Sequence, residues 1–119
     1  MGRTITARYR LDDVIWFDFE VLCSSPRGAL DYIELARTYH AIVLSKVPQL
    51  SEKNEDKARR FVVLIDELYD RKVKLIISAD VEITSIYVGD RQKFEFERTK
   101  SRPIEMQSLD YLASPHVII

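Results

Sequence analysis

Cysteine is almost missing from this sequence. Cys23 is the only one in 119 residues, which excludes an internal disulfide and an all-cysteine metal site. Glycine is nearly as scarce. With only Gly2, Gly28 and Gly89, the chain cannot form Gly-x-x-x-x-Gly-Lys-Ser/Thr, so it has no phosphate-binding loop. His40 and His116 are the only histidines, and no acidic residue joins them at metal-ligand spacing on one helical face. No metal ligand and no catalytic residue is therefore assigned. Long apolar runs are absent as well. Val14–Phe17 and Phe61–Ile65 fall far short of the roughly 20 residues that a bilayer span needs, so no integral membrane segment is expected. No apolar signal region follows Met1, and a net charge of −1 gives no reason to expect nucleic acid. A reducing, cytoplasmic setting is the expectation.

What is present suits one soluble domain spanning residues 1–119: 46% of residues are apolar and 31% are charged. Val14-Ile15-Trp16-Phe17-Asp18-Phe19 is a β-branched and aromatic run that predicts a buried strand. Ser25-Pro26 offers a cap and a first helical position for a helix carried by Leu30, Ile33 and Ala36 to about His40. Ala41–Leu44 predicts a second strand. Asn54 opens the clearest helix, with Glu55 and Asp56 in its first turn, Arg71 and Lys72 in its last, and Ala58, Phe61, Val62, Ile65, Leu68 and Tyr69 at helical spacing. Val73–Ile77 predicts a third strand. Beyond it the pattern predicts a short helix over Ile83–Val88, a half-buried strand around Phe94 and Phe96, and a helix over Ile104–Ala113 with Pro103 in its first turn. Strands alternating with helices predict an α/β fold, a three-layer-like sandwich around a small, mostly parallel sheet with helices packed on it.

Four segments could carry chemistry. Val62-Val63-Leu64-Ile65-Asp66-Glu67 matches a Walker B strand, but its flanks are helical and no Walker A loop accompanies it, so an amphipathic helix is the better reading. Asp18, with Ser45 and Ser78 at the ends of the other strands, would suit a receiver-like phosphoryl pocket; capping of neighbouring loops explains them more simply. Nothing supports a nucleophilic pair of Cys23 with a histidine. Met1-Gly2-Arg3-Thr4-Ile5-Thr6 meets the loose myristoylation pattern, yet a start exposed by truncation accounts for it better. In Arg98-Thr99-Lys100-Ser101-Arg102, arginines ahead of a helix could reach a phosphate across an interface. A solvated lead-in paired with Glu95, Glu97 or Glu105 is the simpler alternative.

Taken together, several runs resemble the C-terminal part of the ZapE-type cell-division ATPases, AAA-like proteins whose mitochondrial relatives include the lactation-elevated ATPase. The resemblance starts at Gly2-Arg3 and runs through Trp16–Glu20, Leu22-Cys23, Asp31–Ala36, Val47-Pro48, Ala58–Phe61, Asp66–Arg71 and Val73–Leu75. It ends with Phe94–Phe96, Arg98-Thr99, Ser101-Arg102 and Glu105–Ser108. Lys46 and Pro103 depart from the pattern. The resemblance implies a C-terminal fragment whose Walker motifs and first sensor lie N-terminal to this region. ATP and Mg would then belong to the full-length protein, and the isolated chain would be inactive. Arg98 and Arg102 become nucleotide-sensing candidates. The implied partners are the N-terminal AAA module, other copies in a homo-oligomer, and FtsZ, whose polymers bacterial members destabilise. The implied location is cytoplasmic, peripheral at the inner membrane or division site. A free-standing receiver-like or protein-interaction module is the alternative.

Overall fold

A computed structural model of the chain describes residues 9–11, 14–23, 28–82, 85–89 and 93–105. A short edge strand β1 (Tyr9–Leu11) pairs antiparallel with β2 (Val14–Asp18). Strand β2 runs parallel to β3 (Ala41–Val47), and β3 runs parallel to β4 (Lys74–Ala79), giving the order β1-β2-β3-β4. Helix α1 (Phe19–Cys23) follows β2 directly and α2 (Ala29–Thr38) leads to β3. Helix α3 (Glu55–Asp70) joins β3 to β4, and α4 (Lys93–Glu105) comes after β4. The α/β class, the mostly parallel sheet and the packed helices expected from the sequence are all present. The edge strand β1 and the turn of helix at α1 had no signal beyond the continuous apolar run.

Alternation decides which face of the sheet is covered. Ile15 and Phe17 on β2 and Ile42 and Leu44 on β3 are buried, while their neighbours Trp16 and Val43 are not. Right-handed crossovers between consecutive parallel strands put α2 and α3 on the same side. There they pack on each other and bury Tyr32, Leu35, Phe61, Leu64, Ile65 and Leu68 against those strand residues.

Helix α3 matches its predicted pattern, with Leu64 added to the buried set. A tight 3-10 turn over Glu52–Asn54 leads into it, and Asn54 stands at the N-cap of α3 without a side-chain bond to the helix. A reciprocal pair belongs to that turn: the Ser51 N–H donates to Asn54 Oδ1 at 2.6 Å and the Lys53 N–H donates to Ser51 Oγ at 3.2 Å. Its end is a left-handed cap. Lys72 has φ 58°, its N–H donates to the Tyr69 carbonyl at 3.1 Å, and the Val73 N–H donates to the Leu68 carbonyl at 3.0 Å. Arg71 and Lys72 therefore lie just past the helix and not in its last turn. The predicted Ser25-Pro26 start of α2 lies outside the described residues. Gly28 is the cap here, and its N–H donates to Asp31 Oδ2 at 3.0 Å.

Three expectations after β4 are corrected. Of the helix expected over Ile83–Val88, residues 83 and 84 lie outside the described residues. Ser85 closes a single tight turn by donating its N–H to the Glu82 carbonyl at 2.9 Å, and residues 86–89 are not helical. Tyr87 forms a parallel bridge with Leu50, held by Leu50 N–H to Ile86 O at 2.6 Å and Val88 N–H to Leu50 O at 2.9 Å. Gly89 is needed for space, because a Cβ there would collide with the Tyr87 ring. Phe94 and Phe96 lie on α4, not on a strand. An apolar pair two residues apart cannot separate strand from helix, and the buried partner of Phe96 is Thr99, one helical turn on. Pro103 sits inside α4 and opens no helix. The rest of the predicted Ile104–Ala113 helix, from residue 106, lies outside the described residues.

Aromatic contact ties α4 to the core. Phe61 lies 6.0 Å from Phe19 and 6.2 Å from Phe96, and Phe96 stacks on Tyr87 at 4.4 Å. Replacing Phe61 by Ala is expected to cost about 3–5 kcal/mol in urea unfolding, the usual range for a buried ring. Phe94→Ala removes a ring that is 87% exposed, so its cost stays within about 0.5 kcal/mol.

Candidate functional site

Arg98 and Arg102 are four residues apart on α4, so both project from one side of the helix. That side meets α3, where Asp66 and Tyr69 are three residues apart. The two oxygens of the Asp66 carboxylate are divided between the arginines. Asp66 Oδ2 accepts from Arg98 Nη2 at 3.4 Å, and Asp66 Oδ1 accepts a close hydrogen bond from Arg102 Nη1. The Arg102 guanidinium also lies over the Tyr69 ring, 4.8 Å from its centroid. Arg102 is the more enclosed of the two, with 22% of its side chain exposed against 53% for Arg98. Arg98 is thus the arginine nearer to solvent. The hydroxyls between the arginines serve the helix itself: Thr99 Oγ1 donates to Glu95 O and Ser101 Oγ donates to Arg98 O, each at 2.8 Å. The segment is thus part of α4 and not a lead-in to it, and among the described residues both arginines pair with Asp66.

Asp66 is the residue that the sequence signalled for another reason. Its apparent Walker B context is a helix, as the flanking residues indicated, and Glu67 pairs along that helix with Arg71 at 2.5 Å. The signal for its actual role was the Asp66–Tyr69 spacing, which makes one surface ready for a guanidinium by charge and by ring face.

The strand-end carboxylate forms a different arrangement. Ser45 Oγ donates to Asp18 Oδ1 at 2.6 Å and accepts from Trp16 Nε1 at 2.8 Å, joining β2 to β3. Ser78 is exposed and is not brought into that cluster. The four described strands wind in one direction only, so the sheet has no reversal of order of the kind that opens a ligand crevice in doubly wound folds. Glu20 pairs with Lys57 at 3.0 Å. Cys23 is fully buried, and loss of hydration pushes its thiol up to about 12, so at neutral pH it keeps its proton and is a poor nucleophile. His40 is exposed just after α2, and His116 lies outside the described residues. Among the described residues no cluster of His, Cys, Asp and Glu could hold a metal ion, and no helix is long and apolar enough to cross a membrane. An open cleft of about 260 Å³ between α2 and α3 is lined by residues that include Tyr32, Arg59 and Arg60, and neither Arg98 nor Arg102 borders it.

The ion pairs and the stacked ring rank by burial. A double-mutant cycle of Asp66→Ala with Arg102→Ala is expected to return a coupling of about 1 kcal/mol by urea unfolding, while the cycle of Asp66→Ala with Arg98→Ala stays under about 0.5 kcal/mol.

Comparison with known proteins places the chain in a family. The family model described as AFG1-like ATPase matches residues 1–115. Cell division protein ZapE of Escherichia coli is 48% identical over an alignment covering 83% of this chain and 26% of that protein. An uncharacterised Schizosaccharomyces pombe protein is 43% identical, with 96% of this chain and 31% of that protein covered. Lactation elevated protein 1 homolog B of Danio rerio is 30% identical, with 95% and 29% covered. No solved structure matches. The chain spans between a quarter and a third of the length of these relatives. The match over nearly every residue makes the chain a member of the AFG1-like ATPase family.

Proposed function

We propose that this chain is the C-terminal part of an AFG1-type ATP hydrolase and that it supplies the nucleotide-responsive arginines Arg98 and Arg102. It contributes no catalytic group. ATP with Mg would be bound by the part of the protein outside these residues, since this sequence has no phosphate-binding loop.

The observation that carries this reading is the shared carboxylate. Two guanidinium groups converge on Asp66 from one turn of α4, and one of them is half exposed. A phosphate oxygen offers an arginine the same charge and the same forked hydrogen-bond geometry as a carboxylate. Nucleotide would therefore compete with Asp66 for an arginine, and α4 would change its hold on α3 as ATP is bound or spent. Such an arginine can act on nucleotide in its own subunit or in a neighbour's, which supports a homo-oligomer as the working form. The name of the Escherichia coli relative, cell division protein ZapE, supports a role in cell division; FtsZ as the partner and the division site as the location are part of the proposal.

The test uses the complete ATPase with Arg98→Ala and Arg102→Ala introduced singly. A transition-state or sensing arginine lowers kcat by at least about tenfold when removed, and Lys at the same position restores only part of it. Unchanged kcat and KM in both variants would show that the pair only fastens α4 to α3.

A further inference from the structure

The helices described above that build the core lie on one face of the sheet. The other face presents one apolar row that crosses three strands. Trp16 on β2 is in register with Val43 on β3, and Val43 with Ile76 on β4. Ile76 is 63% exposed, Trp16 is 36% exposed, and Val43 is half-buried between them. The bond from Trp16 Nε1 to Ser45 Oγ holds the indole across the strands, so the row has a fixed shape.

Parallel strands almost always have both faces covered, because their crossovers and neighbouring layers enclose them. Here β2, β3 and β4 are parallel and one face still carries an isoleucine largely in water. A second copy of the chain is a poor occupant. Stable dimers bury about 800 Å² on each partner, and a row of three side chains offers much less. A covalently linked occupant needs no such area, because a tether of moderate length supplies an effective concentration near the millimolar range. The relatives supply such an occupant: about 70% of their length lies outside the region this chain matches. An ATPase of this family also needs a nucleotide-binding part that this sequence does not contain.

We infer that the Trp16–Val43–Ile76 face is the docking surface for the nucleotide-binding part of the same polypeptide. The inference rests on reading the chain as one part of a larger ATPase, and it adds the face by which the two parts meet. Strands β2 and β3 then transmit the contact to α1 and α3, whose far side carries Asp66 and the arginines of α4.

The test reads thiol accessibility at position 76. Cys23 is buried, so Ile76→Cys gives one reactive thiol in the isolated chain, and Leu30→Cys on α2 gives a matched control at a residue 79% exposed. The complete protein is the full-length ATPase that carries this chain, and labelled peptides are identified by mass. In the isolated chain the Ile76→Cys thiol is expected to react as fast as the Leu30→Cys control. In the complete protein it should react at least about tenfold more slowly, because covering limits access to local opening. Equal rates for Ile76→Cys in both forms would overturn the inference. So would protection that rises with concentration in the isolated chain, which would make a second copy the occupant. A stability measurement stands beside it. Ile76→Asp should leave the Tm of the isolated chain unchanged and lower that of the complete protein by several degrees, and a drop in the isolated chain would show that the chain covers the face itself. Neither readout depends on Arg98 or Arg102, so failure of the sensing role leaves it intact.

Discussion

Burial of α3 is the constraint on which the other elements depend. Its apolar stripe, from Ala58 through Leu68, is pressed on the sheet face made by Ile15, Phe17, Ile42 and Leu44. Its flanks then serve two other elements, α1 and α4. Phe61 meets Phe19 of α1 and Phe96 of α4, Lys57 reaches Glu20, and Arg60 Nη1 donates to the Cys23 carbonyl at 3.1 Å. A buried ring costs several kcal/mol to remove, whereas a half-exposed ion pair contributes under about 1 kcal/mol. Aromatic and aliphatic packing therefore holds the helices in place, and the charged contacts set how they are turned.

That division of labour matters most at α4. Phe96 and Thr99 are buried against the body of the domain and anchor the helix. Arg98 and Arg102 are fixed by weaker bonds to Asp66, with Tyr69 beneath one of them. Weak contacts on a strongly anchored helix can exchange a carboxylate for another anion without unfolding anything. The docking face and the arginines lie on opposite sides of the same sheet and helix stack, so the nucleotide that competes with Asp66 is a neighbouring subunit's, and the two contacts are coupled through α3.

Much of the fold was legible because long elements announce themselves. The six spaced apolar positions of α3 and the β-branched runs at Val14, Ala41 and Val73 could hardly be read otherwise, and the alternation of strand and helix gave the parallel sheet. What failed was short or ambiguous. Strand β1 has three residues, too few for a period, and α1 starts inside a run that looks like strand throughout. Phe94 and Phe96 are two apart, a spacing that fits a strand until Thr99 supplies the helical turn. Tyr87 bridges Leu50, 37 positions earlier in the chain, and nothing local signals such a pairing. At the candidate site, the arginines could be picked out by charge and by resemblance. Their partner could not, since Asp66 is 32 residues from Arg98 and only the folded contact of α3 with α4 brings them together.

The most direct measurement of the central claim is amide hydrogen exchange over Asp66–Tyr69 and Arg98–Arg102 in the complete ATPase, with and without a non-hydrolysable ATP analogue. A nucleotide-responsive arginine pair predicts that exchange in these two segments changes on nucleotide binding while β2 and β3 stay constant. Identical exchange in both segments with the analogue bound would contradict it, leaving Arg98 and Arg102 as structural fasteners of α4 alone.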